Sequence, residues 1–324
     1  MGAYFVGRSL WNNFVATGDN DEDDDDAAPS LSRQQVDRRL QACQQEARAL
    51  YSSIAPAVHK AVLQATPGSA ARSQLRDARH KQDKAAQHEA WHAIRVATWT
   101  RLVVNAYSQS ILLCMVWTHV HRIEQNALAQ NGDTSAIVST QWCRAFIDHG
   151  VVQGILHPVR AVVQRVLASR DEWDCFAPTA ALHMTADKVE QTLHRICQEC
   201  NPASSTDDDA ADAISVDPLC WWTNLAAAAT NDTTKVEAEV LDLWESPLAQ
   251  QALQECLSCT LQTILRQLRT SLFQQDPERP VAKVVAELKS HDGSDWEASW
   301  SQWVALPTVY ALGRVVLLDG CKET

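Results

Sequence analysis

Glycine and proline are scarce in this chain, and their scarcity limits the folds that it can adopt. The 324 residues include 10 glycines and 11 prolines, about 3% each, whereas soluble proteins average roughly 7% and 5%. Tight turns depend on these two residues, so a chain with few of them forms few hairpins. Alanine, leucine, glutamine and arginine, which are good helix formers, are abundant. We therefore expect an all-α protein, folded as a single large elongated bundle of long, partly kinked helices.

The acidic residues are concentrated in two segments of the chain. The net charge is −12, but residues 1–30 and 201–220 hold 12 of the 40 acidic residues and only one basic residue, Arg8. The remaining 27 basic and 28 acidic residues nearly cancel, which does not fit the basic surface of a nucleic-acid-binding protein. Both acidic segments have the composition of solvated, disordered chain. We expect a disordered segment at 1–30 and a disordered acidic loop at about 201–220, within a helical domain spanning 31–320.

The first predicted helix follows this N-terminal segment. Between Val36 and Val62 apolar residues recur every three or four positions, which is typical of a helix buried on one face. We expect Pro56 to kink this helix and Pro67-Gly68 to end it. Residues 70–88 are polar and charged, which predicts either a weak helix or a loop.

The second long helix is predicted to be the core of the bundle. It runs from about His88 to Ala129, and its middle part, from Leu102 to Val120, is apolar almost all round. Such a pattern is typical of a helix with neighbours on every side. Further helices are predicted at about 134–169, with a kink or split at His157-Pro158, and at 185–199, 233–245, 246–274, 279–290 and 295–317. For the helix at 246–274, Ser246 is the expected N-cap, with Pro247 at the first helical position.

The cysteines allow one metal-binding alternative. Cys197 and Cys200 form one C-x-x-C pair, and Cys256 and Cys259 form another. Four thiolates could bind zinc in a metal-dependent helical enzyme if both pairs converged. The pairs are far apart in sequence and lie in helix-like segments, so we expect no metal and no cofactor. The chain also has no glycine-rich phosphate loop, G-x-S-x-G or H-E-x-x-H motif, and we expect a protein that is not an enzyme.

The most telling segment is Glu89–Arg101, EAWHAIRVATWTR, followed by Tyr107 and an apolar run to His121. It resembles the central helix of the peroxin-3 family, in which a Glu-x-Trp opening leads through a Thr-Arg step and a tyrosine into a hydrophobic stretch. Other segments are similar to family motifs and occur in the family's order: Arg8–Asn12 at the N-terminus, the proline-containing Ile54–Val62, the Glu-Ser-Pro helix start at Leu243–Pro247, and Pro280–Val285.

The resemblance implies a peroxisome biogenesis factor. Members of this family dock the cargo receptor peroxin-19 during import of peroxisomal membrane proteins, by taking its N-terminal amphipathic helix into an apical groove. The resemblance also implies a place in the peroxisomal or an ER-derived membrane, with the main domain facing the cytosol and a targeting segment within residues 1–30. The sequence departs from the family after Phe14, where an acidic run replaces the basic, apolar anchor. We find no convincing transmembrane helix in the sequence.

Three apolar residues are expected in the groove. Trp91 matches the family's groove tryptophan, a residue type that is enriched at binding hot spots. Ile94 lies three residues later on the same helix face, and Leu75 would supply an apolar wall. The alternative for Trp91 is an ordinary core position, because the chain has twelve tryptophans and tryptophan is highly buried on average.

Two lysines are expected at the rim of the groove. Lys283 matches the family's rim lysine, whose stem can cover apolar surface while its charge meets acidic residues of the incoming helix. The family's second lysine falls on Gln87, and Lys84, about one turn earlier, is the candidate replacement. If Trp91 is buried and no apical groove exists, the alternative is a helical scaffold that binds an unrelated partner helix.

Overall fold

We analysed the chain in a computed structural model. Residues 1–30, the acidic loop at 201–220 and most of the helix predicted at 233–245 lie outside the residues that the structure describes. The described residues are 33–129, 141–168, 173, 183–200, 243–244, 246–274, 276–290 and 296–318.

The described elements confirm the predicted all-α helical bundle. In chain order they are α1 (Arg33–Ala65), α2 (Ser69–His80), α3 (Lys84–Ala129), α4 (Gln141–Ala145), a π-helical stretch (Phe146–Leu156), α5 (His157–Ala168), β1 (His183–Thr185), α6 (Ala186–Cys200), α7 (Pro247–Leu268), a second π-helical stretch (Arg269–Phe273), β2 (Glu278–Pro280), α8 (Val281–Ser290), α9 (Trp296–Trp303) and α10 (Pro307–Leu318). None of these helices is both long and apolar enough to cross a bilayer.

The long helix α3 forms the centre of the bundle, as its all-round apolar pattern predicts. Its 46 residues extend for about 69 Å at 1.5 Å per residue. Every residue from Leu102 to Val120 is buried, because α1, α2, α5, α7, α8 and α10 all pack against this helix. Two buried polar side chains of α3 are paired across the bundle: the Tyr51 hydroxyl donates to the Gln109 side chain, and Ser110 and Thr260 share a hydrogen bond of 3.1 Å.

The polar segment after α1 forms the helix α2 from Ser69 to His80, and α3 begins at Lys84, earlier than predicted. Ala71, Leu75 and Ala78 are buried, at spacings of four and three residues that place them on one helix face. This short stripe packs on α3. The composition of this segment is compatible with either a helix or a loop, and its packing on α3 stabilises the helix.

Two other predicted helices are interrupted in the structure. The helix expected at 295–317 is divided into α9 and α10, because Pro307 has no backbone N–H and begins the second helix. In the helix expected at 134–169, the π-helical stretch gives way to α5 at His157, just before Pro158, where the split was predicted. The sequence did not predict the small antiparallel sheet in which Met184 pairs with Arg279.

The start of α7 follows the capping prediction. The side chain of Ser246 accepts a hydrogen bond of 3.2 Å from the Ala249 amide, and Pro247 occupies the first helical position. The cap satisfies one of the amides that have no partner within a helix.

We expect Ser246→Ala to lower the free energy of unfolding by about 1 kcal/mol, because the Ala249 amide loses its acceptor. Ser246→Asp retains an acceptor and places a negative charge at a helix N-terminus, so it should keep the stability of the natural chain. Urea denaturation of the three proteins measures both effects. Equal stability of the alanine and aspartate variants would show that the cap is not significant.

Candidate functional site

A tight turn between α2 and α3 positions two of the predicted site residues. Gln82 has a φ of 55°, in the left-handed region that commonly follows a helix. Asp83 then caps α3, because its side chain accepts a hydrogen bond of 3.0 Å from the Ala86 amide. Through this turn α2 folds back onto α3. Leu75 on α2 is consequently buried, whereas Lys84, the first residue of α3, is exposed.

Trp91 lies in the core and is only 5% exposed. Its indole Nε1 donates a hydrogen bond of 3.4 Å to the backbone carbonyl of Trp173. The Trp173 ring packs edge-on against Trp99, with ring centroids 5.0 Å apart, and its Nε1 donates to the Thr192 hydroxyl at 3.1 Å. Trp91 is therefore held beneath Trp173 and is not presented at the surface of a groove.

The other predicted residues divide between the core and the surface. Leu75 and Trp91 belong to one continuous hydrophobic core, and the half-buried Ile94 packs against it. Lys283 is exposed on α8, a helix that also packs on α3. The structure thus gathers the three apolar residues into one core and leaves Lys84 and Lys283 on the surface of elements that adjoin it.

The surface formed by α2, α3 and α8 also carries positive charge at the C-terminal end of α8. Partial burial and the charges of Arg72 and Arg101 lower the pKa of Lys289. Arg101 also donates to the backbone carbonyl of Thr66 at 2.6 Å, next to the end of α1.

The two cysteines of the second C-x-x-C pair have different neighbours. The Cys256 sulfur lies 3.8 Å from the Cys114 sulfur, and the Cys259 sulfur lies 3.6 Å from the Gln302 side-chain oxygen. Burial raises the pKa of Cys197 to about 12, which disfavours the thiolate that zinc requires. Among the described residues, no three histidine, cysteine, aspartate or glutamate side chains converge on a possible metal position.

No protein-family profile matches the chain, and no curated protein matches it in sequence. The resemblance to the peroxin-3 family therefore depends on the motifs quoted above, of which the segment around Trp91 is the most telling.

A second surface feature lies away from the predicted site. An open groove of about 820 Å³ runs between α6 and α7, with Tyr107 of α3 contributing to its lining. The groove was not predicted from the sequence. Leu257, Leu261 and Leu265 recur every fourth residue along α7, which indicates an apolar stripe on this helix, but the distance between α6 and α7 cannot be derived from that spacing.

Proposed function

We propose that this chain is a docking protein of the peroxisomal membrane that receives the N-terminal amphipathic helix of peroxin-19. The observation that carries the proposal is the ordered set of peroxin-3-like motifs, which includes the opening of the central helix around Trp91. The packing supports it, because α2 and α8, which carry Leu75 and Lys283, both lie against the same central helix. Residues far apart in sequence therefore belong to adjoining elements.

The chemistry of this surface suits an amphipathic helix with acidic residues. Lys84 and Lys283 are exposed, and lysine stems can cover apolar surface while the ammonium groups meet carboxylates. Ile94 is half-buried on α3 and offers an apolar contact on the same helix that begins at Lys84. In this proposal the buried Trp91 supports the contact surface from below, because its side chain is only 5% exposed.

Charge reversal at the two rim lysines tests the proposed docking. We expect Lys84→Glu combined with Lys283→Glu to weaken binding of a synthetic peroxin-19 N-terminal helix by at least about tenfold, because two attractions become repulsions. Lys60→Glu provides the matched control, since Lys60 is an exposed lysine of α1. Fluorescence anisotropy with a labelled peptide measures all three proteins. Tight binding that survives the double change would contradict the rim assignment.

The burial of Trp91 favours a second candidate function, a helical scaffold whose partner helix is unrelated to peroxin-19. A hot-spot tryptophan usually lies where a partner can reach it, whereas this one is 5% exposed. The same peptide measurement separates the two candidates. A correctly folded chain that does not bind the peroxin-19 helix supports the scaffold. Imaging the full-length chain beside a version without residues 1–30 tests the proposed peroxisomal targeting separately.

A further inference from the structure

The walls of the groove between α6 and α7 are as long as a three-turn helix. Its lining on α7 extends from Gln254 to Leu265, and its lining on α6 extends from Asp187 to Gln198, so each wall is about 16 Å long, or three helical turns. α6 packs on α5, and α7 packs on α3 and α10. The groove therefore separates α6 from α7 along a length that a three-turn helix would fill.

The floor of the groove is apolar and partly exposed. Leu257, Leu261 and Leu265 recur every fourth residue along α7 and are each only half-buried. Cys197 of α6 is also partly exposed, and it lines the groove with them. Burying a further apolar stripe against these side chains would remove surface from water, at about 25 cal/mol per Å².

The charged residues that line the groove favour an occupant with positive charge. Asp187 and Glu190 line one end, and both pair with Arg269, so the ion pairs among the described residues leave one negative charge in excess there. The side chain of Asp187 is 80% exposed and can accept another cation. Within the described part of the chain no lysine or arginine lines the groove, and the remaining polar lining consists of glutamines with Ser258 and His194. An anionic ligand such as a fatty acid or a phosphate group is therefore disfavoured.

We propose that the α6–α7 groove binds a basic amphipathic helix of about three turns from a partner protein. Its aliphatic ridge covers Leu257, Leu261 and Leu265, and its basic end lies near Asp187 and Glu190. The site is separate from the docking surface at the opening of α3, because Tyr107 follows Trp91 by sixteen residues, or about 24 Å along the helix.

A designed helix tests the groove directly. The probe is a labelled, stapled peptide of roughly 15 residues, with leucines at positions 3, 7 and 10 and lysines near its C-terminus, all chosen for helical spacing. We expect saturable binding to the full chain. Ser258→Arg should weaken it at least about tenfold, because an exposed groove residue becomes a bulky cation. Ser53→Arg is the matched control, since Ser53 is an exposed serine on α1, and it should leave binding unchanged.

Other occupants of the groove give different outcomes. Self-association of the chain that Ser258→Arg abolishes would assign the groove to a second copy and overturn the proposal. Displacement of the probe by oleate below its micellar concentration, with the same sensitivity to Ser258→Arg, would assign it to an acyl chain. Absence of saturable probe binding, or binding that is equally strong in the Ser258→Arg chain, would show that the groove does not bind such a helix.

Discussion

We expect Gly313→Val to lower the free energy of unfolding by about 3 kcal/mol or more. Gly313 lies on α10, where that helix crosses α3, and an added Cβ would come within 2.6 Å of the Trp117 Nε1 and 2.7 Å of the His121 Nε2. Both of these side chains are buried and in ring contact, with centroids 4.6 Å apart. Neither can move aside without disturbing the core, and overpacking of this kind typically destabilises by 1–3 kcal/mol even for a smaller addition.

The alanine variant at the same position separates two opposing effects. Gly313→Ala gains about 1 kcal/mol from helix propensity, but its Cβ makes the same close approach to Trp117 and His121. We expect the clash to dominate, so that Gly313→Ala is destabilised, though less than Gly313→Val. Thermal or urea unfolding of both variants measures the difference.

Gly68 provides the control for the Gly313 series. An added Cβ at Gly68 meets nothing within 4 Å, and its φ of −89° is accessible to any residue. Gly68→Ala should therefore change stability by less than about 0.5 kcal/mol. A Gly313→Ala chain that is as stable as Gly68→Ala would show that α10 can shift away from α3 without loss.

The central helix could be predicted from the sequence because its signals are local. The continuous apolar pattern from Leu102 to Val120 indicated a helix with neighbours on every side, and the structure buries every residue of that stretch. The cap at Ser246 could be predicted for the same reason, because an N-cap depends only on its own side chain and the next helical turn. These features of the fold needed no knowledge of which helices pack together.

The surroundings of Trp91 could not be predicted in the same way. Its burial depends on Trp173, which lies far away in sequence and holds the indole through a backbone carbonyl. A helical pattern reports which face is apolar but not which segment covers it. The α6–α7 groove could not be predicted either, because the sequence does not show which apolar face stays uncovered. Leu261 is half-exposed because of the distance between α6 and α7, which its own helix does not determine. The candidate sites were therefore less predictable than the fold.

We also expect the chain to lose stability steeply as the pH falls from about 6.5 to about 4. Burial lowers the pKa of His119 from its usual value to about 4. Burial likewise lowers the pKa of His121 to about 4, although its hydrogen bond to the Trp117 carbonyl opposes the shift. Both histidines are thus neutral in the folded chain at neutral pH, whereas in the unfolded chain they become protonated near pH 6.5.

The sign and size of this effect follow from proton linkage. Between pH 6.5 and pH 4 the unfolded state binds protons that the folded state does not, so acid favours unfolding. The stability is fully present above pH 6.5 and is lost as the pH falls toward the folded pKa. A shift from 6.5 to about 4 corresponds to about 3 kcal/mol for each histidine at 1.36 kcal/mol per pH unit. Two such losses are comparable with the whole stability of an ordinary domain, roughly 5–15 kcal/mol.

The local geometry of His121 explains why the fold disfavours its charged form. Its Nδ1 lies 2.7 Å from the Trp117 carbonyl, and a carbonyl can only accept, so this nitrogen carries the proton of the neutral ring. The other nitrogen, Nε2, is buried without a hydrogen-bond partner among the described residues and faces the backbone of Gly313. A second proton there would place a charge in the core with no acceptor, which is strongly unfavourable.

Removing either buried histidine should flatten the acid limb of the stability curve. We expect His119→Gln and His121→Gln each to reduce the loss of unfolding free energy between pH 6.5 and pH 4 by about 3 kcal/mol, whatever their stability at pH 7. His80→Gln is the matched control, because His80 is exposed on α2, and it should keep the slope of the natural chain. Urea denaturation at half-unit pH intervals measures the slopes. If both buried variants retain the natural slope, groups other than these two histidines cause the acid sensitivity.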